Sequence, residues 1–210
     1  MDIQLILAVL GFFAFVAAIF YLLVFLPKKL LKKKERKHFL EVAKKFDFKE
    51  DLETKGFKPM IKGMYDGIMI YIHNTPLTHK TKSHLKIQQF HRRGRNHGAI
   101  TKIAAKIGSS NIKFLDMFNG AKYSKDVNRG NFIDHFKPVV VPESEILNIF
   151  TEEVTEDLLF IWEKHGSVGL VYENNILYTY NRRGIFSDKS VESAIDKVNM
   201  LSKLAKRLKA

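Results

Sequence analysis

The stretch Ile3 to Leu26, IQLILAVLGFFAFVAAIFYLLVFL, constrains this chain more than any other feature. It runs for 24 residues without a charge, and its one polar side chain is Gln4. At about 1.5 Å of rise per residue a helix of this length reaches roughly 36 Å, a little more than a hydrocarbon core of about 30 Å. A modest tilt absorbs the excess. The sequence therefore predicts a transmembrane anchor over residues 1–27. The N-terminus Met-Asp-Ile-Gln lacks the basic region of a signal peptide, and Val24-Phe25-Leu26-Pro27 is a poor cleavage site, so the anchor is expected to stay uncleaved. Tyr21 sits near its basic end, where an interfacial aromatic fits.

The next eleven residues are Pro27-Lys28-Lys29-Leu30-Leu31-Lys32-Lys33-Lys34-Glu35-Arg36-Lys37, and seven of them are Lys or Arg. The other flank offers only Asp2. The positive-inside bias then places the soluble part in the cytoplasm and the N-terminus outside, which for a bacterial chain means the inner membrane. Lys28, Lys29, Lys32, Lys33, Lys34, Arg36 and Lys37 are the candidate contacts to anionic headgroups, each contributing about 1 kcal/mol near the surface.

Phe39, Val42, Ala43 and Phe46 have helical spacing, so residues 28–50 read as a basic juxtamembrane helix leading into a soluble domain over 51–210. In that domain Pro59 to His73 divides into two apolar runs about Asp66-Gly67, a strong hairpin signal. His84 to His91 reads as a strand, and Ile100, Ile103, Ala104 and Ile107 as a short helix. Residues 119–131 read as a loop. Pro142 opens an acidic stretch with Ile146, Leu147, Ile149 and Phe150 as its apolar positions. Thr151 starts a helix carrying Val154, Leu158, Ile161 and Trp162, which Gly166 ends. Val168–Glu173 and Ile176–Tyr180 flank Asn174-Asn175 as a second hairpin. Ser187 or Asp188 caps a last helix with Val191, Ile195, Val198, Leu201, Leu204 and Ala205 on one face. The expected fold class is α+β, with antiparallel hairpins packed against helices behind an N-terminal transmembrane helix.

The segment Phe132-Ile133-Asp134-His135-Phe136-Lys137-Pro138-Val139-Val140, the helix through Trp162 and the hairpin from Val168 to Tyr178 together resemble a family of uncharacterised bacterial single-pass membrane proteins sharing a domain of unknown function. Gly63-x-Tyr65-x-Gly67 is similar to that family's first hairpin. The resemblance covers mainly residues 57–180 and implies architecture and bacterial origin. It carries no catalytic motif.

Lys and Arg outnumber Asp and Glu by 35 to 22, which points to anionic partners. Between Gly67 and Leu115 there are nine Lys or Arg and no acid. Lys80, Lys82, Lys86, Arg92, Arg93 and Arg95, with Lys102, Lys106 and Lys113, form a candidate basic surface for phosphates, of lipid or of nucleic acid. Tyr71, Phe90 and Phe114 are the aromatics at hand for base stacking, and each reads more simply as core. His73, His79, His84, His91 and His97 match no metal-ligand spacing. With no cysteine, thiolate chemistry and Cys-ligated metals are excluded. Glu143, Glu145, Glu152, Glu153, Glu156, Asp157 and Glu163 form an opposing acidic block that reads as a solvated helix face. No nucleophile elbow, phosphate loop or dinucleotide fingerprint is present.

These features favour a non-enzymatic accessory or scaffold protein acting at the cytoplasmic face through protein or anionic-lipid contacts, with no cofactor. A membrane-tethered nucleic-acid binder using residues 79–113 and an enzyme of unknown class are the alternatives.

Overall fold

The structure is a computed structural model that describes residues 3–50, 60–76, 99–117, 126–166, 168–181, 184–185 and 187–209. Among these are eight strands, β1 (Lys49–Glu50), β2 (Met60–Tyr65), β3 (Ile68–Pro76), β4 (Ala99–Lys106), β5 (Phe114–Met117), β6 (Val139–Val141), β7 (Leu170–Glu173) and β8 (Ile176–Asn181). The six α-helices are α1 (Ile3–Phe20), α2 (Leu26–Phe46), α3 (Phe132–Phe136), α4 (Ile146–Ile149), α5 (Glu152–His165) and α6 (Asp188–Leu208). The strands form one antiparallel sheet in the order β1-β2-β3-β4-β8-β7-β5-β6. The class is α+β.

Both expected hairpins are present, and their turns explain them. Asp66 and Gly67 have φ of 53° and 76°, and Asn174 and Asn175 have φ of 52° and 63°. Two consecutive left-handed residues are what a two-residue turn matching the strand twist requires, and Asp, Asn and Gly adopt that region most readily. Helix ends follow their residues too. Gly166 closes α5 at φ 63°, and Ser187 with Ser190 forms a reciprocal cap at the start of α6.

One element differs from the sequence expectation. Ile100, Ile103, Ala104 and Ile107 belong not to a helix but to β4 and the residue just beyond it. β4 lies between β3 and β8, with Ile103 and Ala105 buried toward the helices and Ile100 and Ala104 buried on the other side. Ile100 and Ala104 lie on one face of the strand and Ile103 on the other, and the apolar residues of the two faces together mimic helical spacing. The expected strand over His84–His91 lies outside the described residues, as does most of the 119–131 loop. Within the part described, Asn128 caps a 3-10 turn over Arg129–Asn131. Leu147, expected to be apolar core, is 74% exposed on α4, whereas Ile149 and Phe150 are buried.

Helices α2, α5 and α6 provide the cover for one sheet face. α6 lies over β3, β4 and β8, α2 over β2, and α5 packs on α6. Phe39, Val42 and Phe46 of α2, Ile61, Ile70, Ile72, Ile103 and Leu177 of the sheet, and Val198, Leu201 and Leu204 of α6 share this core. The second half of α2 is thus part of the domain core. At β2, Gly63 leaves the space that Phe48 fills, because a Cβ there would come within 2.3 Å of the Phe48 ring.

The apolar N-terminal run is divided. α1 holds 18 residues, Tyr21–Phe25 form one π-helical turn, and α2 begins at Leu26. Among the described residues no helix is long and apolar enough to cross a membrane. The expectation of one regular span over Ile3–Leu26 is corrected to that extent: 18 residues of α-helix reach about 27 Å, and the rest of the run lies in the π turn and the first residue of α2.

Candidate membrane-facing surface

The backbone stays helical across both joints. Phe20, Phe25 and Leu26 all keep right-handed helical torsions, so α1, the π turn and α2 form one continuous path into the core. Its first part is bare. Phe12 and Phe15 are 64% and 65% exposed, and Phe13, Val16, Phe20, Leu22, Leu23 and Phe25 are exposed as well. Aromatic and aliphatic side chains on all sides of a helix cost free energy in water and cost none in hydrocarbon.

α2 then fixes which end of the domain faces that apolar segment. Nine residues after Leu26, Glu35 accepts a hydrogen bond from the Asn74 amide near the end of β3. Asn74 in turn accepts from Thr101 Oγ1 at 2.6 Å, and in the sheet register Asn74, Thr101 and Asn181 lie side by side across β3, β4 and β8. Ser193 Oγ of α6 donates to Asn181 Oδ1 at 2.9 Å. This buried polar row marks the near end. Lys197 is fully buried in α6, with its Nζ donating to the Tyr180 carbonyl at 2.8 Å. The far end carries the Asp66-Gly67 turn, where Tyr65 packs on Phe46 at 4.8 Å and its hydroxyl donates to Asn199 at 3.0 Å.

The candidate lipid contacts lie on α2. Lys29, Lys33 and Lys34 are exposed, and Lys28 and Lys32 belong to the same helix. Arg36 is held by Glu50 at 2.9 Å, which keeps its guanidinium charged more firmly than usual, chiefly through that hydrogen bond. Lys37 is 3.8 Å from Glu41.

Of the second basic stretch the described residues are Lys102, Lys106 and Lys113. Lys80, Lys82, Lys86, Arg92, Arg93 and Arg95 lie outside the described residues. Of the rest, Lys102 lies 3.7 Å above the Tyr178 ring on the face of the sheet away from the helices. Lys106 and Lys113 are exposed at the far end, because β4 runs from the near end to the far end and takes its lysines with it. Tyr71 and Phe114 are both half-buried. Of the five histidines, His73 is in β3 and the others lie outside the described residues.

The acidic block is a far-end feature and is largely paired. Arg129 bridges Glu152 and Glu156, Lys203 meets Asp157 at 2.8 Å, and Arg207 meets Glu153 at 2.6 Å. Lys164 joins Glu192 at 2.8 Å and Asp196 at 3.0 Å, and these hydrogen bonds raise the pKa of its ammonium. Beside them is an open cleft of about 370 Å³, lined in part by Tyr65, Asp66, Asp157, Asp196 and Lys203. Each of its carboxylates has a cation, Lys206 for Asp66, Lys203 for Asp157 and Lys164 for Asp196, and His165 Nε2 also lies 2.8 Å from Asp196. The geometry supplies ion pairing between α5 and α6, and no pair of carboxylates there is poised for acid–base work.

Sequence reasoning missed the row Asn74, Thr101 and Asn181. Its one sequence signal is a polar residue at the same end of three apolar strands, and this becomes readable only once the register is known. Comparison of the chain with protein-family models, curated proteins and solved structures finds no match.

Proposed function

We propose that the chain is a single-pass membrane protein whose α+β domain works as an accessory or scaffold unit on the cytoplasmic face of a bacterial inner membrane. The observation that carries this reading is the continuous helical path from a bare apolar segment into the domain core. The 18 residues of α1 and the five of the π turn supply the span between them. An apolar helix that leaves Phe12, Phe13 and Phe15 exposed is stable where the solvent is hydrocarbon. The basic run that follows, with only Asp2 on the other flank, favours a cytoplasmic domain. The same reading sets the chain beside the uncharacterised bacterial membrane proteins that its second half resembles.

In this arrangement α2 acts as a spacer. Glu35 lies nine residues beyond Leu26, so the near end of the sheet stands about 14 Å from the edge of the apolar core. Between them Lys29, Lys33 and Lys34 face the headgroups. Pro76 and Ala99 pair at the same end of the sheet.

The lipid contact is testable in neutral bicelles titrated with a headgroup-labelled anionic lipid. At about 1 kcal/mol per basic residue, removal of Lys29, Lys33 and Lys34 together by substitution with Gln should weaken anionic-lipid association roughly 100-fold. Equal association for the triple variant and the parent chain would overturn the lipid role of α2.

A further inference from the structure

Where α2 meets the start of α6, three ligand atoms converge from two helices. His38 Nδ1 is 3.0 Å from Glu41 Oε2 and 3.9 Å from Asp188 Oδ1. All three ligand atoms lie within 4.8 Å of one another. His38 and Glu41 share a face because they are three residues apart on α2. Asp188 arrives through the fold alone, as the first residue of α6.

The burial is uneven. The His38 side chain is 6% exposed, whereas Asp188 is 99% exposed and Glu41 is half-buried. His38 Nε2 is buried with no hydrogen-bond partner among the described residues. The imidazole therefore has a single polar outlook, toward the two carboxylates. Asp188 does not serve as the helix cap, since Ser187 does that. An imidazole fixed by packing, with two carboxylates able to swing over it from the solvent side, is a donor set suited to a borderline divalent cation. Calcium and magnesium prefer oxygen alone.

We propose that His38 Nδ1, Glu41 and Asp188 bind a divalent transition-metal ion of the zinc class, with water completing its coordination. The ion would clamp α2 to α6, fastening the helix that enters the domain to the last helix of the core. The inference holds whether or not α1 lies in a bilayer. The other charges facing the site are Lys37 and Lys44 on α2, with Lys37 3.8 Å from Glu41. Lys37 lies by Glu41 Oε1, and the oxygen facing His38 is Oε2. Binding through Nδ1 leaves the proton on Nε2, where no acceptor stands among the described residues. Such an outer partner is worth about 10–100-fold in affinity, so this is a modest site and not a structural zinc.

Isothermal titration of the full chain in detergent with Zn²⁺ alone tests the proposal, with thermal unfolding followed alongside. Asp188→Asn and Glu41→Gln alter exposed or half-exposed groups and should fold as the parent does. The expected result is one equivalent more in the parent than in either variant, weaker binding as the solution is acidified, and a Zn²⁺-dependent rise in Tm that both variants lose. Equal equivalents in the parent and Asp188→Asn, meaning an adventitious ion only on other histidines, would overturn it. So would the absence of saturable binding.

Discussion

Replacing Trp162 with alanine should lower the unfolding free energy of the domain by about 3–5 kcal/mol, which at this size is a fall in Tm of roughly 6–20 °C. Trp162 is 1% exposed in the last turn of α5. Its ring meets Phe136 edge-on at 5.1 Å and His135 at 5.5 Å, and Phe136 in turn packs on Phe132 at 4.6 Å. α3 has five residues, too few to be stable as a free helix. It is held in place by these rings, so the cavity left by the indole would loosen α3 as well as α5. Phe160 is the internal control. It lies on the same helix, 52% exposed beside Lys164, and its replacement by alanine should cost under about 0.5 kcal/mol. Denaturant unfolding of both variants at constant m-value checks the pair. Similar losses at the two positions would contradict the packing described.

The second large effect belongs to α1. Val16→Arg puts a charge near the middle of the apolar segment, at a cost of about 2.5–3.5 kcal/mol in membrane insertion, or roughly 100-fold. Val24→Arg should cost far less, because an arginine near the basic end can extend its head to the interface. Alkaline extraction of membranes reads the difference: the parent and Val24→Arg stay with the membrane, and a large share of Val16→Arg is released. This dependence on depth is a property of a bilayer. If α1 were instead buried against a protein partner, the cost would follow the contact face and not the distance from the end, and the two variants could rank either way.

The parts of the fold that could be read in the sequence are those fixed by local chemistry. Asp66-Gly67 and Asn174-Asn175 specify their turns, Gly166 and Ser187 their helix ends, and Phe39, Val42 and Phe46 the buried stripe of α2. β4 could not be read, because Ile100 and Ala104 on one face and Ile103 on the other combine into helical spacing. The basic stretch was read by counting charge along the chain, and of its lysines and arginines Lys102, Lys106 and Lys113 lie among the described residues. In the fold, β4 spreads Lys102 and Lys106 along its length, and Lys113 stands at the far end. The acidic block was visible, but its partners Arg129, Lys203 and Arg207 come from elsewhere in the chain. His38 and Asp188 stand at opposite ends of the domain sequence and meet only because α2 and α6 run side by side. The apolar run was legible in its composition and not in its geometry, since nothing in Tyr21–Phe25 announces a π turn.

The central claim is that α1 and the π turn lie in the bilayer and that α2 lifts the domain off its cytoplasmic side. The chain contains no cysteine, so single cysteines report without background. Val16→Cys and Lys33→Cys, each in the full chain in intact inside-out membrane vesicles, are treated with a membrane-impermeant maleimide. The account predicts rapid labelling of Lys33→Cys and none of Val16→Cys until detergent dissolves the membrane. Labelling of Val16→Cys in intact vesicles as fast as Lys33→Cys would contradict it.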